Sequence, residues 1–194
     1  QTITSKESED IFRLNFAIDK YKKGQQYDVA FSIFKDLMKD QYYSNSNDES
    51  KIKIYNQATY YSALCYLYEH GVEQDKAYAL DITDNLHNSE DVWDIYQELI
   101  EDDEIKLTAL IKIASCYNKK IIQSESLAFK IALELYSKNK YKESYEIFSK
   151  LSSSKNDVIK FLATCFKASY YISGYNNIKK DKNHATMLLG ASLK

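Results

Sequence analysis

The chain has 194 residues, 44% of them hydrophobic and 28% charged, with a net charge of −2. That composition is globular rather than disordered, and its charge balance lacks the basic footprint that nucleic-acid binding requires. No stretch approaches the roughly 18 consecutive apolar residues of a membrane span. Proline is absent and glycine occurs four times. Both weaken or break helices, so their scarcity predicts an all-α chain.

Residues 1–6 are polar and read as a leader, leaving one domain over 7–194. The first helix carries Ile11, Leu14, Ile18 and Tyr21 at three- and four-residue spacing and stops at Lys22-Lys23-Gly24, with cations in the last turn and glycine beyond it. A second runs from Tyr27 through Ala30, Ile33, Phe34 and Leu37. Residues 42–49 read as the longest polar loop. A third helix holds Ile54, Ala58, Tyr61, Ala63, Cys65 and Tyr68 and stops at Gly71. A fourth spans 75–86. Asn88 and Ser89 cap a fifth, with Val92, Trp93, Tyr96 and Leu99. The acidic run 101–104 opens a sixth, with Leu107, Leu110, Ile111, Ala114 and Cys116. A seventh covers 124–138, an eighth 141–151, and a ninth carries Val158, Phe161, Leu162, Cys165 and Tyr170 before Gly174. The tenth, over 181–193, reads as a capping helix.

Two phrases recur along this series. Ala63-Leu64-Cys65-Tyr66 returns as Ala114-Ser115-Cys116-Tyr117 and as Ala163-Thr164-Cys165-Phe166, at a step of about fifty residues. Ile33-Phe34-Lys35-Asp36-Leu37 returns as Ile95-Tyr96-Gln97-Glu98-Leu99 and as Ile147-Phe148-Ser149-Lys150-Leu151. Each of these follows a small-residue marker at Ala17, Ala79 or Ala132. Self-similarity at such a period is the signature of stacked helical repeats. The internal copies are placed at about 11–66, 75–117 and 124–166.

The segments 17–37 and 132–151 (ALELYSKNKYKESYEIFSKL) resemble tetratricopeptide (TPR) helix–turn–helix units. Residues 58–79 are similar to the Sel-one-like repeat, a tetratricopeptide relative. Gly71-Val72-Glu73-Gln74-Asp75 followed by Ala79 matches its turn, and a second copy with an insertion runs from Gly174 through Asp181 to Ala185. The middle copy keeps Ile121, Ser124 and Ala128 without the glycine and aspartate. The resemblance implies an α-solenoid of about ten antiparallel helices in a right-handed superhelix. It also implies a non-enzymatic scaffold or adaptor holding a protein or peptide segment on its concave face.

Chemistry-bearing motifs are missing from the sequence. There is no glycine-rich phosphate loop, no His-Glu-x-x-His, no Cys-x-x-Cys and no Gly-x-Ser-x-Gly. No catalytic residue, metal ligand or cofactor is therefore expected. The histidines His70, His87 and His184 stand near expected helix ends. The three cysteines read as small hydrophobes on buried faces. Tyrosine, with 18 copies, is the enriched candidate for contact, because its ring supplies area and its hydroxyl a polar tip. Tyr60, Tyr61, Tyr170 and Tyr171 are the expected partner-facing residues. Two further readings stand beside the scaffold. One is an exported host-interaction factor of an intracellular bacterium, compatible with the AT-rich style of composition and the start at Gln1. The other is a hydrolase of cell-wall-type ligands, for which the paired cysteines of such Sel-one-like proteins are missing. Free thiols favour the cytoplasm, whereas the Gln1 start is compatible with export.

Overall fold

A computed structural model describes residues 4–86, 92–102, 105–118 and 123–192, and among them every regular element is helical. The Asn88–Ser89 cap, His87, Ile121 and the second half of the acidic run lie outside the described residues. Contacts divide the chain into two compact units, Gln1–Ile105 and Lys106–Lys194. The boundary cuts the expected middle copy. The first unit holds α1 (Ser5–Lys22), α2 (Tyr27–Lys39), α3 (Gln41–Ser44), α4 (Glu49–Tyr68), α5 (Lys76–Ile82) and α6 (Val92–Leu99). The second holds α7 (Lys106–Asn118), α8 (Glu125–Ser137), α9 (Tyr141–Leu151), α10 (Asp157–Ser173) and α11 (Lys182–Ser192).

Helix starts follow their capping side chains. Thr4 Oγ1 accepts from the Glu7 amide at 3.2 Å while Thr4 N donates to Glu7 Oε2 at 2.7 Å. This is a reciprocal capping box, so α1 begins at Ser5, inside the segment expected to be a leader. Asp75 accepts from the Tyr78 amide at 2.8 Å and Asp181 from the His184 amide at 2.9 Å. The aspartates of the two turn motifs thus cap α5 and α11.

The expected loop 42–49 is corrected at its start. Asp40 accepts from the Tyr42 amide at 2.9 Å and starts α3, one turn that aims Tyr43 inward until it is fully buried. The Tyr43 hydroxyl donates to Asp10 Oδ2 at 2.6 Å. Asp10, 5% exposed, also receives Lys6 Nζ at 2.9 Å and Arg13 Nη1 at 3.0 Å. Burial pushes the Asp10 carboxyl up, but the Tyr43 hydroxyl and the two cations outweigh it and hold the group below the usual carboxylate range.

In the first unit α1 and α2 form a hairpin that packs on α4, and α5 and α6 also pack on α4. The core gathers Leu14, Ala17, Phe34, Leu37, Ala58 and Cys65. Each fully buried large apolar side chain contributes on the order of 1.5–3 kcal/mol. In the second unit α8 and α9 form the hairpin, α10 packs on it, and α11 packs on α10.

The two units carry the same aromatic frame. Tyr21 meets Tyr27 edge-on at 5.5 Å, as Tyr136 meets Tyr141 at 5.5 Å. Tyr27 stacks on His70 at 4.0 Å, as Tyr141 stacks on Tyr175 at 4.1 Å. Phe34 stacks on Tyr61 at 5.1 Å, as Phe148 stacks on Phe166 at 4.7 Å. The Asp75 amide donates to the Tyr66 carbonyl at 3.0 Å, and the Asp181 amide to the Tyr171 carbonyl at 2.9 Å. Helices α1, α2, α4 and α5 therefore match α8, α9, α10 and α11.

This match corrects the register of the cysteine phrase. Tyr61 corresponds to Phe166, so Cys65 corresponds to Tyr170, and Cys165 falls five residues earlier, at the place of Tyr60. Alanines cause the ambiguity. Each helix has one at both positions, Ala58 and Ala63 in α4, Ala163 and Ala168 in α10, all buried. The frame tolerates the size difference through its neighbour. Tyr170 is fully buried and shares a hydroxyl–hydroxyl hydrogen bond with Ser144. At the matching places in the first unit stand the smaller Cys65 and the apolar Ala30, both 0% exposed.

Glycine matters most at Gly71. Helix α4 ends at Tyr68 rather than at this glycine, with Glu69 already left-handed at φ 59°. Gly71 has φ +75°, and a Cβ there would stand 2.5 Å from the Tyr27 carbonyl and the Asp28 amide. The turn can lie on the first turn of α2 only without a side chain. Gly190 is the opposite case, a helical position with open space around it. Gly190→Ala is expected to raise stability by about 0.5–1 kcal/mol, read as a higher urea midpoint. An unchanged or lower midpoint would show that α11 is not helical at that position.

Candidate partner-binding surface

Three of the four tyrosines singled out from sequence are tied into the frame. Tyr61 is half-buried, stacked on Phe34 and edge-on to Tyr21 at 5.3 Å. Tyr170 is a core residue, which takes it out of any partner-facing surface. Tyr171 is half-buried, its hydroxyl 3.2 Å from that of Tyr145 and its ring 4.4 Å from His184. The Tyr145 hydroxyl, and then burial, push its pKa up to about 12. Tyr60 is half-buried and meets Tyr61 edge-on at 5.3 Å. The pairs Tyr60-Tyr61 and Tyr170-Tyr171 sit five residues apart in the shared frame, so they do not occupy equivalent places.

The exposed apolar residues form a different pattern. Val158 (67% exposed), Phe161 (37%) and Leu162 (38%) fall at three- and four-residue steps along α10, continued by half-buried Cys165. Positions so spaced share one helix face. The opposite flanks of α10 bury Ala163, Thr164, Ala168 and Tyr170. The helix is thus apolar on faces that its neighbours use and on one that they leave open. The sequence carries that signal as apolar residues exceeding one stripe, and spacing places Val158, Phe161 and Leu162 on the helix without saying which side is open. In α4 the position matching Cys165 is Tyr60, so Tyr60 stands on the corresponding face. On α1, Phe12 and Phe16 are 72% and 40% exposed, and Lys20 Nζ lies 5.4 Å from the Phe16 ring centroid.

The cysteines are free thiols, with Cys65 and Cys116 buried and Cys165 half-buried. Burial pushes the Cys65 thiol up to about 12, far from the reactive thiolate range. Among the described residues no group of three or more His, Cys, Asp or Glu side chains is placed to hold a metal ion. Among them, too, no helix is long and apolar enough to cross a membrane.

His70 lies inside the aromatic frame of the first unit. Its Nδ1 lies 3.1 Å from the Tyr21 hydroxyl, its ring stacks on Tyr27, and Tyr68 stands 5.8 Å away. Burial lowers its pKa, so the folded state resists the proton that the unfolded chain accepts near pH ~6.5. Its effect is absent above that pH, and stability falls as pH drops through it toward the lower folded value. His70→Tyr, which copies Tyr175, is expected to flatten thermal stability between about pH 7.5 and 5.5. Equal slopes for the two proteins would disprove this role.

No family model, curated protein or solved structure matches the chain.

Proposed function

We propose that the chain is a non-catalytic scaffold or adaptor of the tetratricopeptide and Sel-one-like kind, binding a protein or peptide segment through its helix faces. The α-solenoid order with a right-handed turn belongs to the same proposal. One observation carries it, the row Val158, Phe161 and Leu162 on the open side of α10. Contiguous exposed apolar residues on a helical domain mark interaction surfaces, and single scattered ones would not. The shared frame supports the reading: it commits the aromatic hydroxyls and rings to internal packing and leaves α10 to present the contact. Tyr60, on the matching face of α4, is the tyrosine that stays in the proposed surface.

Affinity capture with the full chain, followed by mass spectrometry, tests the proposal beside a Phe161→Ser, Leu162→Ser double variant. Circular dichroism checks that the variant keeps its helices. A specific partner retained by the native chain and lost by the variant is the expected result. An identical set of captured proteins from both, or no specific partner at all, would overturn it.

A further inference from the structure

The shared frame permits a comparison inside one molecule: what lies on α4 and α5 in the first unit, and what lies at the same places on α10 and α11. In the first unit α6 packs on both α4 and α5. Its own buried residues are Val92, Ile95, Tyr96 and Leu99, spaced i, i+3, i+4 and i+7. Leu67 of α4 lines one cavity with Leu99 of α6 and is 3% exposed, and Leu80 and Ile82 of α5 are 2% and 5% exposed. Tyr96 closes the contact through its hydroxyl, 3.1 Å from Thr83 Oγ1. Just beyond the helix, Asp102 Oδ2 meets Lys76 Nζ at 2.5 Å.

The residues matching Leu67, Leu80 and Ile82 are Ile172, Thr186 and Leu188. Ile172 is 48% exposed, Thr186 exposed and Leu188 half-buried. The place of Lys76 is kept by a lysine, Lys182, also exposed. The frame beneath is intact in both units: Ala79 and Ala185, at matching places, are 0% and 2% exposed. The aromatic pair Tyr66–Tyr78 is mirrored by Tyr171–His184. The two faces differ in their cover and share their construction.

We propose that the α10–α11 face is a docking site for an amphipathic helix from a partner, of the same chemistry as α6. Its apolar side carries aliphatic residues at i, i+3 and i+7 with an aromatic at i+4, and a carboxylate follows its last apolar residue by three positions. Ile172 and Leu188 take the apolar side, Ile172 standing where Leu67 meets Leu99 of α6. Lys182 takes the carboxylate, as Lys76 takes Asp102. This is helix-in-groove recognition, with the apolar contact giving affinity and the ion pair setting direction along the groove. The inference names a partner class for the scaffold reading and rests on it, but uses a different surface from the Phe161 row.

The test titrates the full chain, methyl-labelled, with a synthetic peptide of residues 89–102. Because short helices are marginal in water, the peptide is stapled on its outward side. Saturable shifts of the Ile172, Leu188 and Met187 methyls are expected. Ile172→Asp should weaken binding at least about tenfold. Lys182→Glu, a surface change that leaves the fold alone, should weaken it several-fold at low salt and little at high salt. Shifts centred elsewhere, or no saturation at millimolar peptide, would overturn the proposal. So would a concentration-dependent dimer in sedimentation equilibrium abolished by Ile172→Asp, since it would assign the face to a second copy. Loss of the captured partner by the Phe161 and Leu162 variant together with silence in the titration would sink this inference alone. The reverse outcome would sink the Phe161 surface alone.

Discussion

Asp10→Ala is expected to lower the free energy of unfolding by about 3–5 kcal/mol, the range for removing one partner from a buried ionic network. The carboxylate is nearly inaccessible and receives a hydroxyl and two cations. Without it the Tyr43 hydroxyl stays buried with nothing to donate to, and two positive groups face a vacated site. Lys6 finds Asp40 at 2.7 Å and Arg13 finds Asp36 at 3.4 Å, so most of the cost falls on Tyr43. Tyr43→Phe deletes one bond and keeps the packing, for about 1 kcal/mol. Urea denaturation followed by circular dichroism separates the two. Equal costs would mean that the carboxylate contributes no more than a single hydrogen bond.

The second large effect is expected at Phe148→Ala, about 3–5 kcal/mol. Phe148 is fully buried, stacked on Phe166 with planes 7° apart and edge-on to Phe129 at 5.8 Å. Its removal opens a cavity among three elements that meet there, α8, α9 and α10. Phe148→Leu keeps most of the volume and should cost less than about 1.5 kcal/mol. A Phe148→Ala cost below that of the leucine variant would show that the ring is dispensable, and with it the frame.

Much of the architecture is written in the Ile-aromatic-x-x-Leu phrase, because it marks one side of one helix in each copy. Phe34, Leu37, Ile95, Leu99, Ile147, Phe148 and Leu151 are all buried, as are the alanine markers Ala17, Ala79 and Ala132. The cysteine phrase is less informative because a small residue two places before a small residue fits a helix at more than one register. Ring geometry was needed to separate the choices. Tyr43 was misread because its helix is a single turn, too short for any period to show, and its partner Asp10 lies 33 residues away. The Thr4–Glu7 capping box was visible in the sequence and was obscured by a polar stretch that resembles a leader. For the candidate surface, composition pointed to tyrosine, yet hydroxyls that find internal partners turn inward. Exposed valine, phenylalanine and leucine cannot be told from core residues by spacing alone.

The pairing of Tyr170 with Ser144, against Cys65 with Ala30, has a consequence for any attempt to recombine the two halves of this chain. Each side of the exchange looks like an interchangeable part, yet the hairpin and the helix that follows it have been fitted to each other. Grafting α10 onto the α1–α2 hairpin would set a phenol against a methyl group. Grafting α4 onto α8–α9 would leave a serine hydroxyl facing a thiol across a gap. The smallest transferable piece is therefore three helices long, and crossover points that respect it lie ahead of α1 and α8, never between a hairpin and its third helix.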